Sequence, residues 1–281
     1  ATWNISGTAT ANIRGIFGWN RNNAATLNLT GGRLNIGDSG IYNLGSNKLI
    51  KLGAGTVGAL ANWSSSLNNF RMASAAGVTF DPSGKTITLT GNLIDETAVT
   101  GKLNLNGDGT LILGGGNTYT GGNSITKGTL QLNSATALGS TSGALTVNGG
   151  VLNLNGNSVT TGTLSGTGGT ITDNSAGAGT TTYTVGQTAA AAFAGTINNG
   201  AAKTIALVKN GGNSLTLSGA NTYSGGTTVN GGTLVISGST GAGANTVAAT
   251  ATLAVSGAGV LPGSISVAPT GVFDVSAAAS T

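Results

Sequence analysis

Residues 107–132 read GDGTLILGGGNTYTGGNSITKGTLQL, and residues 211–236 read GGNSLTLSGANTYSGGTTVNGGTLVI. Aligned without a gap, the two segments share Gly107/Gly211, Leu111/Leu215, Leu113/Leu217 and Gly115/Gly219. They also share Asn117-Thr118-Tyr119/Asn221-Thr222-Tyr223, Gly121-Gly122/Gly225-Gly226 and Gly128-Thr129-Leu130/Gly232-Thr233-Leu234. Self-similarity at this scale marks an array in which one supersecondary unit stacks on the next. Each copy reads strand, glycine-rich turn, strand. Period-two alternation predicts that Leu111, Leu113, Leu130, Leu132, Leu215, Leu217, Leu234 and Ile236 point inward. Ile112, Gln131, Thr216 and Val235 then point outward. Nothing in the unit is equipped to make or break a bond, so the best-patterned part of the chain specifies architecture. Asn117, Tyr119, Asn221 and Tyr223 read as structural corners, with Asn satisfying turn backbone groups and Tyr lying over neighbouring coils.

The spacing of Leu-x-Leu, Asn-Thr-Tyr, Gly-Gly and Gly-Thr-Leu in both copies resembles the autotransporter passenger-associated β-strand repeat. Looser versions stand at 144–166 (ALTVNGGVLNLNGNSVTTGTLSG) and 252–276 (TLAVSGAGVLPGSISVAPTGVFDVS). The resemblance implies a right-handed parallel β-helix on a secreted bacterial surface protein. Residues 1–90 do not resemble the repeat.

Composition points the same way. Glycine alone supplies 51 of 281 residues, and 11 basic plus 7 acidic residues make only 18 charges. Such a chain has few long side chains with which to build a thick core. Disorder goes with low hydrophobicity and high net charge, whereas mean hydropathy here is positive, at +0.19. Period-two pairs such as LNL, LIL, LQL and LTV recur between glycine turns, which is strand chemistry. A narrow all-β solenoid of 20–25-residue coils suits it, with small residues filling a thin core. Only Ala59–Leu67, Ala73–Ala76 and Ala189–Ala194 offer a turn of helix, and no apolar run reaches membrane-spanning length. Ala1-Thr2-Trp3 reads as a mature end left by signal cleavage. With no cysteine, thiol catalysis and thiolate metal sites are excluded. The net charge of +4 comes from dispersed basic residues, a poor match to a phosphate-tracking stripe, so nucleic acid is not expected as a partner.

The chain changes character near residue 90, which suggests residues 1–90 as a cap or docking region and 91–281 as solenoid repeats. The first region holds seven of the twelve aromatics and seven of the eleven basic residues. Terminal coils of a solenoid are atypical because they must cover an open end. Trp3, Trp19 and Trp63 fit such a plug. The other reading is a docking face built from Trp3, Phe17, Trp19, Trp63, Arg14 and Arg21, since Trp and Arg dominate interface hot spots. At the other end GVFDVSAAAST follows a repeat-like strand without a visible cap or membrane-barrel segment. The expected covering is more chain or another copy.

Two motifs are discounted. Gly37-Asp38-Ser39-Gly40 matches a serine-protease nucleophile signature, but that chemistry needs a histidine and the chain has none. It reads as a turn. Gly53–Gly58 matches GxGxxG without the βαβ setting that gives the motif meaning. Carboxylate catalysis is the one enzyme class left, with Asp38, Asp81, Asp95, Glu96, Asp108, Asp173 and Asp274 as candidates. Most of these sit in turn contexts. The reading adopted is an extracellular structural or adhesive β-solenoid, a surface spike or filament subunit, without enzymatic activity, cofactor or metal. It is expected to associate end to end with copies of itself and to meet surface glycans. The alternative is a polysaccharide-active enzyme or carbohydrate-binding module on the same scaffold.

Overall fold

The structure, a computed structural model, describes residues 2–14, 24–41, 48–68 and 70–279. Phe17, Trp19 and Arg21 of the predicted docking face lie outside the described residues. Among the described residues all regular structure is β-strand, and no helix is long and apolar enough to cross a membrane. The three stretches with helical leanings are not helical. Ala59–Leu67 contains the strand Trp63–Ser65, Ala73–Ala76 forms a turn, and Ala189–Ala194 contains the strand Ala191–Phe193. Each is too short to nucleate a helix against the competing strand ladder.

The chain divides into two compact units, Ala1–Gly143 and Ala144–Thr281. In the first, a five-stranded sheet runs Thr2–Ile5, Ala25–Leu29, Lys48–Leu52, Phe70–Met72 and Leu93–Asp95. A second runs Thr10–Ile13, Arg33–Ile36, Thr56–Ala59, Val78–Asp81, Leu103–Leu113 and Asn123–Leu132. Trp63–Ser65 and Lys85–Leu89 join the latter through Leu103–Leu113. Consecutive strands of the first sheet are separated in the chain by one or two strands of the second, and pairing is parallel, as Thr2 opposite Thr26 and Thr56 opposite Thr79 illustrate. A parallel pair needs a long crossover, and here the crossover is the rest of one coil. That is a β-solenoid.

The second unit repeats the plan. A six-stranded parallel sheet contains Val159–Thr161, Gly179–Val185, Lys203–Lys209, Thr227–Val229, Asn245–Val247 and Ile265–Val267. A five-stranded one contains Ala191–Phe193, Ser214–Leu217, Thr233–Ile236, Thr252–Gly257 and Val272–Ala278.

The core of each unit is a stack of columns, one residue per coil. Leu27, Ile50, Phe70 and Leu93 lie in register in the first, and Phe193, Leu217, Ile236 and Val255 in the second. All are buried, and each full burial contributes about 1.5–3 kcal/mol. The eight residues predicted to point inward are all fully buried, while Ile112, Gln131, Thr216 and Val235 are half-buried on the outside.

Candidate functional site

The repeat corners hold the densest polar geometry. In the first copy Asn117 is buried and serves the coils on both sides. Its Oδ1 accepts from Leu93 N at 2.8 Å, and its Nδ2 donates to Ala137 O at 2.6 Å. In the second copy Asn221 Oδ1 accepts from Ile197 N at 2.8 Å, and Nδ2 donates to Gly219 O and Ser239 O at 2.9 and 2.8 Å. The chain approaches itself closely just before each asparagine. A Cβ on Gly115 would lie 2.1 Å from Gly91 O, and one on Gly219 would lie 1.9 Å from Gly195 O. Only glycine fits there. Tyr119 and Tyr223 are buried, and their hydroxyls bond Asn123 Oδ1 at 2.5 Å and Thr227 Oγ1 at 2.8 Å. Burial pushes both phenols above their ordinary range, Tyr223 to about 12. Neither is a proton donor or acceptor for chemistry near neutral pH. Asn117 and Asn221 thus bridge coils, while Tyr119 and Tyr223 are buried and brace their own turn.

The acids show a further clamp that sequence reasoning missed. Asp95 Oδ1 accepts from Gly101 N at 2.7 Å, and Oδ2 accepts from Thr120 N and Oγ1 at 3.0 and 2.6 Å. Asn199 stands 104 positions later, the offset that separates the two repeats. Its Oδ1 accepts from Ile205 N at 2.9 Å and Ser224 N at 3.1 Å, and its Nδ2 donates to Ser224 Oγ at 2.8 Å. Gly101/Ile205 and Thr120/Ser224 are equivalent pairs in the same frame. The structural repeat thus starts near residues 93 and 197. Its sequence signal is the thin identity of Gly91/Gly195, Ala98/Ala202, Thr100/Thr204, Leu103/Leu207 and Asn106/Asn210 upstream of the patterned segment.

The remaining acids are mostly engaged too. Glu96 pairs with Lys51 at 3.0 Å, a contact that holds its carboxyl below the ordinary range. Asp108 pairs with Lys127 at 2.8 Å on the surface. Arg33 reaches over Gly58, where a Cβ would strike its guanidinium, to pair with Asp81 at 2.8 Å. Asp173 is buried and accepts from Gly156 N, Ser175 N, Ser175 Oγ and Thr181 Oγ1. Desolvation pushes its carboxyl upward, but the bonds from Ser175, Thr181 and Gly156 outweigh it and leave the group below its usual range. Asp274 accepts from Ser276 N at 2.8 Å.

Lys209 is unexpected. It occupies the core position held by Leu105 in the first copy and is fully buried. Its Nζ donates to Asn210 O, Gly211 O and Gly231 O at 3.1, 2.9 and 2.8 Å. Desolvation lowers the ammonium to about 8.

Of the predicted docking residues, Trp3 is 48% exposed on the first strand and Arg14 is exposed. Trp63 is buried at 4% exposure on a strand paired to Lys85–Leu89. The structure does not bring Trp3 and Trp63 together in one described cleft.

These observations define the class first: a parallel β-solenoid whose coils are tied by repeated Asn and Asp/Asn clamps. Residues 103–132 and 207–236 match the passenger-associated-transport-repeat family, so the chain carries two copies of that repeat. Both matches begin four residues before the segments picked out by self-similarity. No curated protein and no solved structure matches the chain. The repeats and the solenoid together support a secreted passenger-type protein.

Proposed function

We propose that the chain is a structural and adhesive segment of a bacterial surface protein, a non-catalytic scaffold that meets other copies of itself coil face to coil face. What carries the reading is the use made of the polar side chains. Six of the seven acids, the corner asparagines and tyrosines, and Lys209 are all bound up in closing turns, pairing surface charges or tying one coil to the next. Little that could turn over a substrate is left.

The strands Ile265–Val267 and Val272–Ala278 support the association. Val267 pairs with the buried Val247, and Phe273 with the buried Leu253, yet they are 40% and 38% exposed. A further coil laid over them, of the same protein or of another copy, removes apolar surface from water and pairs open strand edges. Head-to-tail contacts of this kind do not close on themselves, so they propagate into filaments. With so few charges, added salt leaves such an assembly intact.

Sedimentation velocity and electron microscopy of the 281-residue chain test this. The expected result is concentration-dependent, salt-resistant assembly that Phe273→Asp abolishes. A monomer at high concentration removes the association, and turnover of any glycan by the purified chain overturns the non-catalytic reading.

A further inference from the structure

Asp38 is the acid that the scaffold does not use. All seven acidic side chains fall among the described residues. Six accept short hydrogen bonds or form ion pairs, as set out above. Asp38 is exposed, and among the described residues it forms no ion pair and accepts only from the neighbouring Ser39 hydroxyl, at 3.5 Å. At that distance the bond contributes little.

Its position is nevertheless fixed. The Gly37–Gly40 turn closes with Gly40 N donating to Gly37 O at 3.1 Å. Gly40 has φ +65°, and a Cβ there would lie 2.3 Å from Ser64 O, so this turn is pressed against the strand Trp63–Ser65. Ile41 N donates to the same carbonyl at 3.3 Å. The next coil is held in register, Ser64 opposite Thr88, with Asn62 Oδ1 accepting from Thr86 N at 2.9 Å.

The result is a cleft of about 380 Å³ lined by Asp38, Asn62, Trp63, Ser64, Thr86 and Thr88. A second of about 360 Å³, lined by Arg14, Gly37, Asp38, Leu60 and Ala61, shares Asp38 with it. Arg14 also lacks an ion pair among the described residues. Asp38 lines both clefts, so the groove they share has its carboxylate in common, with Arg14 lining one part and Asn62, Ser64, Thr86 and Thr88 lining the other.

We propose that this groove binds a neutral oligosaccharide, which deepens the adhesive reading above and rests on it. A carboxylate carried on a pinned turn accepts from adjacent sugar hydroxyls, and charge-assisted bonds of this type are the strong ones. Coils rise about 4.8 Å apart, which sets the Ser64 and Thr88 hydroxyls at an interval comparable to one sugar ring. A peptide fits less well. The apolar lining is Leu60, Ala61 and a Trp63 that is itself packed into the core, and peptide recognition relies on pockets for buried anchors or a free strand edge. An anionic glycan would meet the Asp38 charge, and nucleic acid would find one base opposed by one acid.

The test titrates the purified 281-residue chain with cellohexaose, mannohexaose, maltohexaose and chitohexaose by calorimetry and by NMR line broadening. At least one should bind, and Asp38→Ala should weaken it about tenfold or more, the usual loss for a hydrogen bond to a charged group. Ser64→Ala should weaken it less, and Asp274→Ala, which alters an acid of the second unit, should change nothing. Asp38 is exposed, so circular dichroism of the variant should match the parent. If none of the four binds at millimolar concentration, or if Asp38→Ala and Ser64→Ala bind as the parent does, the groove is not a glycan site. Coil-on-coil assembly that persists in that case leaves the structural reading standing, because assembly uses the strands at 265–278.

Discussion

Asp95 and Asn199 occupy the same place in two copies of one repeat, and each takes the backbone N–H of the residue six positions on and of the residue 25 positions on. One is charged and the other is not. What the position requires is an acceptor that can bridge its own turn and the next coil. The two copies differ elsewhere in the same spirit. Tyr119 bonds Asn123 where Tyr223 bonds Thr227, so either an amide or a hydroxyl serves. The surface pair Asp108–Lys127 of the first copy is replaced by Gly212 and Gly231 in the second. The corner glycine and asparagine do not vary, because the carbonyl about 2 Å from a would-be Cβ and the two coils to be bridged leave no substitute.

The comparison breaks most sharply at the core. Leu113→Asp and Leu217→Asp each place a carboxylate among fully buried neighbours, and each should cost about 4 kcal/mol or more. A stack of coils is stabilised by nearest-neighbour contacts, so the damage should stay local. Hydrogen exchange is expected to show lost protection in the first unit for Leu113→Asp and in the second for Leu217→Asp. Equal loss in both units from either variant would mean that the two copies are not separate elements.

This much was legible because it rests on short-range pattern. Leu-x-Leu alternation gives the inward face, and paired glycines with Asn-Thr-Tyr give the corner. The Asp95/Asn199 clamp was not legible, since the residues around it share almost nothing and the bonds span 25 positions. The Asp38 groove was not legible either. Its signature, GDSG, reads correctly as a turn, but the groove is assembled from four segments of chain that only stacking brings together. Trp63 could be read from sequence as a buried plug or as a docking residue, and the alternation WSS, which buries it, is too short at three residues to decide between them.

The corners come next in size. Asn117→Ala strands the Leu93 N–H and leaves the Ala137 C=O only the Tyr119 hydroxyl at 3.5 Å, and Asn221→Ala strands the Ile197 N–H while the Ser239 C=O keeps the backbone N–H of residue 221 at 3.1 Å. Leaving buried groups unpaired costs about 1–3 kcal/mol each, so both variants should lose about 2–3 kcal/mol in chemical denaturation. Equal losses sharpen the equivalence of the two copies, and a large difference between them breaks it.

Lys209 against Leu105 is a difference that pH can read. In the unfolded chain the ammonium titrates near 10.5, and in the folded protein near 8. Between those values the unfolded state holds the extra proton, so stability should rise as pH climbs from about 8 towards 10.5. The difference between the two values limits the expected gain to about 3 kcal/mol at most. Lys209→Met should flatten the profile across that window. A parent whose stability does not rise there would show that the three carbonyls compensate fully for the buried charge.

The smallest effect expected is the most discriminating. If the Asp95 position needs an acceptor and no charge, Asp95→Asn should change stability by less than about 0.5 kcal/mol, the range of an ordinary surface substitution. The new amide has a partner waiting, because Asn199 Nδ2 already donates to Ser224 Oγ at 2.8 Å, and Thr120 Oγ1 stands in the equivalent place. Asp95→Ala removes the acceptor altogether and should cost about 1–3 kcal/mol, since the Gly101 and Thr120 N–H groups lose their partner. The ratio of the two losses, measured by denaturant titration, decides the matter. Should Asp95→Asn prove as damaging as Asp95→Ala, the charge itself is needed, and the two repeats share a shape at this corner without sharing a physical reason for it.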